Sequence, residues 1–378
     1  MIRTADVVVV GGGVIGCAIA RELARRGVRR VVVVERGEVG AEASRAAAGM
    51  VAPQAECEAS GPLLRLGVVS RGRYAAWSEA LREETGIDVE YRADGILYAA
   101  LSAADVRVLA ARARWQRAAG LRVERLTARA ARRLVPALAP GTRGALYFPD
   151  DHRVDNERLA VAVGRAAERA GAALLPGTEA LAVGARRGRV ALVKTRAGRI
   201  AAPVVVNAAG AWAGALALPR GVARPPVFPV RGQMLVLRAD GPALGRPLYS
   251  RRGYLVPRSD GRVLAGSTLE RSGYEKRVTA GAAADLLAAA HALVPAVARF
   301  GLESAYAGLR PGTPDRRPIL GAAPDLPGLF YATGHYRSGI LLAPATAEAL
   351  ADLVLAGKTR LPLAGMAPGR FARRHRPG

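Results

Sequence analysis

Three glycines spaced Gly11-x-Gly13-x-x-Gly16 stand between a run of valines, Val7 to Val10, and a segment in which Ile15, Ile19 and Leu23 recur at one-turn spacing. Placed between a strand and a helix, this spacing serves pyrophosphate binding. Gly11 allows a tight turn, Gly13 lets backbone N–H groups approach the phosphates, and Gly16 lets helix and strand pack closely. The phosphates then lie at the positive end of the helix. Glu35 follows Gly16 by nineteen residues, at the end of a second valine run, Val31 to Val34. Its carboxylate would accept hydrogen bonds from a ribose diol and repel a 2′-phosphate, which argues against NADP. By itself the fingerprint fits FAD and NAD equally.

These residues need a strand, a helix and a second parallel strand, so the opening predicts a βαβ unit, with Gly27 closing a helix from about 14 to 26. Helical patterns follow at 64–85, 103–119 and 156–170. Short strands are expected in 89–100, around Asp94-Gly95, and at 172–175, 189–195 and 202–206. From 227 to 268 the text reads as strands with turns at Asp240-Gly241, Arg252-Gly253 and Asp260-Gly261, an antiparallel pattern. A strand at 329–332 precedes a last helix at about 340–355. At 378 residues the chain exceeds the roughly 250–300 at which a single core stops growing, so two domains of the α/β class are expected, each built from discontinuous pieces.

Composition excludes other classes. The formal charge is +25, but lysine occurs only at 194, 276 and 358, and the arginines are scattered over helical faces, for example Arg21, Arg112, Arg132 and Arg165. This reads as solvated surface and not as a nucleic-acid stripe. The basic run Arg370 to Arg376 reads as a frayed tail. Cys17 and Cys57 have no CxxC spacing, so neither a disulfide framework nor a metal site is expected. Long uninterrupted apolar runs are missing as well, and a cytoplasmic protein without signal peptide or membrane contact follows as the expectation.

Longer stretches carry a resemblance. Ser44-Arg45-Ala46-Ala47-Ala48-Gly49-Met50, Glu84-Thr85-Gly86-Ile87-Asp88, Val206-Asn207-Ala208-Ala209-Gly210-Ala211-Trp212, Gly308-Leu309-Arg310-Pro311-Gly312-Thr313-Pro314-Asp315, Pro318-Ile319-Leu320-Gly321 and Ala332 through Leu341 resemble the glycine oxidase subgroup of the D-amino-acid oxidase family. The likeness extends over essentially the whole chain. It implies a Rossmann-like FAD-binding domain with a parallel sheet (1–88, 146–222 and 305–378) and an α+β substrate domain on a mainly antiparallel sheet (89–145 and 223–304). FAD is expected to be non-covalent, because the cysteine that attaches flavin in covalent relatives lies late in the chain and both cysteines here precede residue 58.

By the same resemblance, Gly11, Gly13, Val14, Ile15, Gly16, Glu35, Arg36, Ala43, Ser44, Ala48, Gly49, Met50, Ala180, His335, Tyr336, Arg337, Ser338, Gly339, Ile340 and Leu341 bind the cofactor. Arg310 matches the carboxylate clamp, and it is placed just after a strand. Tyr254 and Arg337 match residues beside the substrate, with Met50 and Leu269 at the pocket. A planar guanidinium suits the clamp because it binds a carboxylate through two hydrogen bonds. Pro344 is expected in the first turn of the last helix, whose free N–H groups would stabilise negative charge on the ring. His152 and His291 read as structural.

The implied reaction is oxidative deamination of glycine, and of sarcosine or small D-amino acids, to glyoxylate or the oxoacid, ammonia and H2O2, with O2 as acceptor and no side-chain base. Ser338 stands where the subgroup often has asparagine, and Leu269 where methionine is seen. Both departures bear on pocket size, which separates these substrates only weakly. A thiazole synthase of thiamine biosynthesis is the expected protein partner, and the chain is expected to be a homo-oligomer. The alternatives are a dehydrogenase of the same fold and, from another class, a basic nucleic-acid-binding or scaffold protein.

Overall fold

A computed structural model describes residues 2–240 and 244–371. Its first unit is the expected one: strand Val7–Val10, helix Val14–Arg25, strand Val31–Val34. The two valine runs are continuous because both faces of their sheet are covered. Val7, Val9, Val31 and Val33 pack with Ile15, Ile19 and Leu23, whereas Val8, Val10, Val32 and Val34 pack with Val183, Val193 and Ile200.

Among the described residues this sheet has six strands, in the order Ile319–Ala322, Leu329–Thr333, Val204–Asn207, Val7–Val10, Val31–Val34, Ala173–Leu175. All neighbours are parallel except the first pair. Helices Val14–Arg25, Asn156–Arg169 and Gly339–Ala356 cover one face. A three-stranded sheet, Ala180–Arg186, Arg189–Thr195 and Gly198–Ala201, covers the other.

The second large sheet has eight strands, in the order Gly301–Gly312, Phe228–Arg238, Arg262–Gly266, Gly253–Pro257, Leu248–Ser250, Ile96–Ala100, Gly144–Phe148, Glu124–Thr127. It is antiparallel apart from the pairing of Leu248–Ser250 with Ile96–Ala100. Helix Ala280–Leu293 packs on it through Leu286, Ala290 and Leu293 and is capped by Thr279, whose hydroxyl accepts from the Ala282 N–H. The sequence reading contained no helix there.

Several local expectations change. The helix expected at 64–85 is two, Pro62–Arg71 and Tyr74–Thr85, broken at Gly72-Arg73. Within 89–100 only Ile96–Ala100 is a strand, and Arg92 adds a single bridge to Arg153. Strands Gly144–Phe148 and Gly301–Gly312 lie wholly in the antiparallel sheet, so the crossings fall after Phe148 and Gly312 and not at 146 and 305. Arg310 therefore lies inside a strand and not after one. That strand is at the sheet edge, where Pro311 is tolerated. Gly241 and residues 372–378 fall outside the described residues. Arg370, the start of the basic run, pairs with Asp315 at 2.9 Å.

The helix Gly339–Ala356 is, by length and composition, apolar enough to cross a membrane; here it is a core helix packed against Val14–Arg25. Its charged residues Glu348 and Asp352 pair with Arg73 and Arg26. Pro344 is interior to this helix and not in its first turn. With no N–H of its own, Pro344 leaves the Ile340 carbonyl without its helical partner. The buried Tyr74 hydroxyl donates to that oxygen instead.

Candidate active site

The glycine turn is packed as its spacing predicts. Gly11 has φ +105°, and a Cβ there would stand 2.5 Å from the Ala208 carbonyl oxygen. A Cβ on Gly16 would stand 1.9 Å from the Gly11 carbonyl oxygen, so Gly16 supports the turn from below and does not line the cavity. The first helix has no side-chain cap and no acidic residue in its first turn, which leaves its N-terminus suited to phosphate. The Val14 N–H donates to Ser44 Oγ at 2.9 Å. Glu35 Oε2 accepts from the Gly12 N–H at 2.8 Å, and Oε1 from the Gly37 N–H at 3.0 Å. These bonds fix the carboxylate at the strand end with lone pairs to spare for a diol. Beside it the Arg36 guanidinium lies 3.6 Å over the Trp212 ring and pairs with Glu42.

From this end one cavity runs on past Ala43, Ser44, Ala48, Gly49 and Met50, with Ala180 at its near margin. The small-residue strip is gripped from outside. Asn156 Nδ2 donates to the carbonyls of Ser44 and Arg45, and Arg258 Nη2 to that of Ala48 at 3.1 Å. Gly49 has φ +77°, and a Cβ there would meet the Val154 oxygen at 2.0 Å. The face left towards the cavity is narrow and nearly free of side chains, which suits a flat ring.

Opposite stand His335, Tyr336, Arg337, Gly339 and Ile340, at the start of the last helix. Burial pushes the His335 imidazole down to about 3, so it is neutral, and its Nε2 lies 3.1 Å from Thr346 Oγ1. Ser338 and Leu341, also expected at the cofactor, are buried but line no part of the cavity. Ser338 closes the loop through its N–H to the His335 carbonyl, and Leu341 faces Gly67.

Arg310, Tyr254, Met50 and Arg337 line the same cavity. Arg310 Nη2 donates to Ser267 Oγ at 2.8 Å and Nη1 to the Thr268 carbonyl at 3.2 Å; among the described residues it has no acidic partner. Its guanidinium lies flat over Gly232, where a Cβ would be 1.9 Å from Nη1. Tyr254 donates to Met234 Sδ at 3.3 Å. Arg337 Nε lies 2.8 Å from Glu56 Oε2, and that charge raises the arginine's pKa above its ordinary value. Leu269, expected at the pocket, is 53% exposed and outside the cavity. Ser267 and Thr268 are the residues of that turn that face Arg310, and the chain then leaves the site as Glu270 pairs with Arg231.

The sequence reading quoted Trp212 and Gly308 without assigning them to the site and omitted Glu56 and Gly232, all four of which line the cavity, and Arg258 and Asn156, which grip the strip. No spacing rule marks them, because their partners are distant in sequence. Burial pushes both thiols, Cys17 and Cys57, up to about 12, which makes them unreactive. His152 is held neutral by burial, with its imidazole lowered to about 4 and Nδ1 2.6 Å from the Tyr91 hydroxyl.

The fold has close counterparts. A glycine oxidase of Geobacillus kaustophilus is 40% identical over 362 residues, 95% of this chain and 95% of that protein. The crystal structure of glycine oxidase from the same organism superposes with a TM-score of 0.93 at 39% identity, covering 97% of this chain and 99% of that one. The bifunctional protein ThiO/ThiG of a Synechocystis species is 39% identical over 376 residues, 98% of this chain and 55% of that protein. The family model described as DAO, FAD dependent oxidoreductase, matches residues 6–353. Because that match runs from the first strand into the last helix, both ends of the cavity lie within it, and the chain belongs to the DAO family of FAD dependent oxidoreductases.

Proposed function

We propose that this protein is an FAD-dependent amino-acid oxidase whose principal substrate is glycine, with sarcosine and small D-amino acids as poorer ones. The observation that carries the reading is Arg310, a guanidinium without an acidic partner among the described residues, lining the same cavity as the dinucleotide turn. Gly11, Gly13, Val14 and Ile15 would hold the pyrophosphate of FAD, Glu35 and Arg36 its adenosine side, and Ser44, Ala48, Gly49 and Met50 with His335, Tyr336, Gly339 and Ile340 its ring. Bound FAD supplies the two-electron acceptor.

The protein's own part is positioning. Arg310 takes the substrate carboxylate through two parallel hydrogen bonds, which leaves the adjacent carbon in a fixed place. Tyr254 and Met50 close the volume around it. The substrate ammonium gives its proton to water, since the nearest imidazole, His335, is buried and turned towards Thr346. The first N–H groups of the last helix, near Gly339, would stabilise negative charge on a ring bound there. The products are then glyoxylate or the oxoacid, ammonia and H2O2. The imine formed from glycine has a consumer in a thiazole synthase of thiamine biosynthesis; this is supported by the ThiO/ThiG relative, in which a segment like this chain is part of a bifunctional protein.

Absorption spectra of the purified protein before and after anaerobic glycine test the reading. The expected result is a yellow protein that bleaches with glycine, forms peroxide on admission of air, and releases its yellow cofactor on denaturation. Failure of glycine, sarcosine and D-alanine alike to bleach it would overturn the reading. Bleaching without peroxide, with reduction of an added dye, would assign a dehydrogenase.

A further inference from the structure

The substrate end of the cavity holds two arginines in different electrostatic states. Arg310 has no acidic partner among the described residues, whereas Arg337 faces Glu56. Glu56 ends the short helix Pro53–Glu56, and its side chain is only 9% exposed. Asp151 fixes that helix by accepting from the N–H groups of Gln54 and Ala55, and is itself paired with Arg71 at 3.0 Å. Glu56 Oε1 accepts from the Tyr249 hydroxyl, which also lies 2.7 Å from Met50 Sδ. Oε2 stands 2.8 Å from Arg337 Nε, yet it is buried without an aligned hydrogen bond. The pair is therefore held by charge, and no protein group fills the fork of Arg337 among the described residues.

We propose that Glu56 sets the substrate class by charge: it cancels Arg337, so that the site has one free guanidinium and admits amino acids with one carboxylate, excluding those with two. This rests on Arg310 being the carboxylate clamp, as argued above. Without the Glu56 charge, Arg337 becomes a second anion site lining the same cavity. The isosteric Glu56→Gln variant keeps an acceptor for Tyr249, removes the charge, and places an amide NH2 where Oε2 faced Arg337.

The test is binding of acetate and malonate to the FAD-loaded protein by calorimetry, with oxidation of glycine and iminodiacetate measured in parallel. In Glu56→Gln the expected result is about a tenfold gain in malonate affinity, on the scale of one charged hydrogen bond. Acetate binding should stay within about threefold, and the ratio of kcat/KM for iminodiacetate to that for glycine should rise. The double variant Glu56→Gln/Arg337→Met should lose the malonate gain. Tyr249→Phe, which removes the hydrogen bond but leaves the charge, should show none. Equal shifts for acetate and malonate, no shift for malonate, or the same gain in Tyr249→Phe would each overturn the proposal. Failure of the clamp itself is recognised separately: the unaltered protein would then bind neither acetate nor malonate and would not oxidise glycine.

Discussion

A guanidinium whose only partners among the described residues are a hydroxyl and a carbonyl keeps donors for something else, and Arg310 lines the cavity. Replacing it tests the clamp directly. Arg310→Ala is expected to lower kcat/KM for glycine on the order of 10²-fold, the scale of losing two charge-assisted hydrogen bonds, with the flavin spectrum of the resting protein unchanged. Gly232→Ala reaches the same group from behind. Its methyl would stand 1.9 Å from Arg310 Nη1, so the guanidinium must move, and a rise in KM on the order of tenfold is expected with cofactor content intact. An unchanged KM in both variants would remove Arg310 from the site. Arg310 was legible in the sequence because its neighbours Gly308, Leu309 and Pro311 fix its context. Gly232 was not, since its need for a bare Cα comes from a side chain on the neighbouring strand. Glu56 escaped for a similar reason: its partners are Arg337 and Tyr249, and nothing in the stretch around it announces either.

At the scale of elements, sequence pattern succeeded where one physical cause dominated. Valine runs with both faces covered could only be central strands, and a glycine turn between strand and helix could only be a tight connection. It failed where contrast was low. Ala280–Leu293 is so rich in alanine that no polar face marks it, and the stretch 64–85 gives no sign of its break beyond Gly72. The last helix was anticipated, but how it tolerates Pro344 was not, because the compensation comes from Tyr74 on another helix. Tyr74→Phe would leave the Ile340 carbonyl buried and unpaired. The expected loss is about 1 to 3 kcal/mol of unfolding free energy by denaturant titration. Because Ile340 lines the cavity, weaker FAD retention should accompany it. A stability equal to that of the unaltered protein would mean that another donor serves that carbonyl.

For the molecule as a whole, many of the acidic groups are paired with arginine, and stability should respond to acid first through groups that are not. Two imidazoles are kept neutral by burial, His335 at about 3 and His152 at about 4, against an ordinary value of 6.5. Folded values below the unfolded one mean that the unfolded chain binds more protons between them. The stability these groups contribute is therefore complete above about pH 6.5 and is lost as pH falls from there through about 4 for His152 and about 3 for His335. Carboxylates such as Asp315 and Asp352, held low against burial by hydrogen bonds from Arg370 and from Thr359 and Arg26 respectively, respond only at lower pH, so the two effects separate. Thermal unfolding midpoints at pH 7, 6, 5 and 4 should fall steadily for the unaltered protein. His335→Gln keeps a hydrogen-bonding group for Thr346 but cannot take up a proton, and its midpoint should fall less over the same range. Parallel pH profiles for the two proteins would show that His335 is not held neutral by the fold, and the loss over this range would then rest on His152.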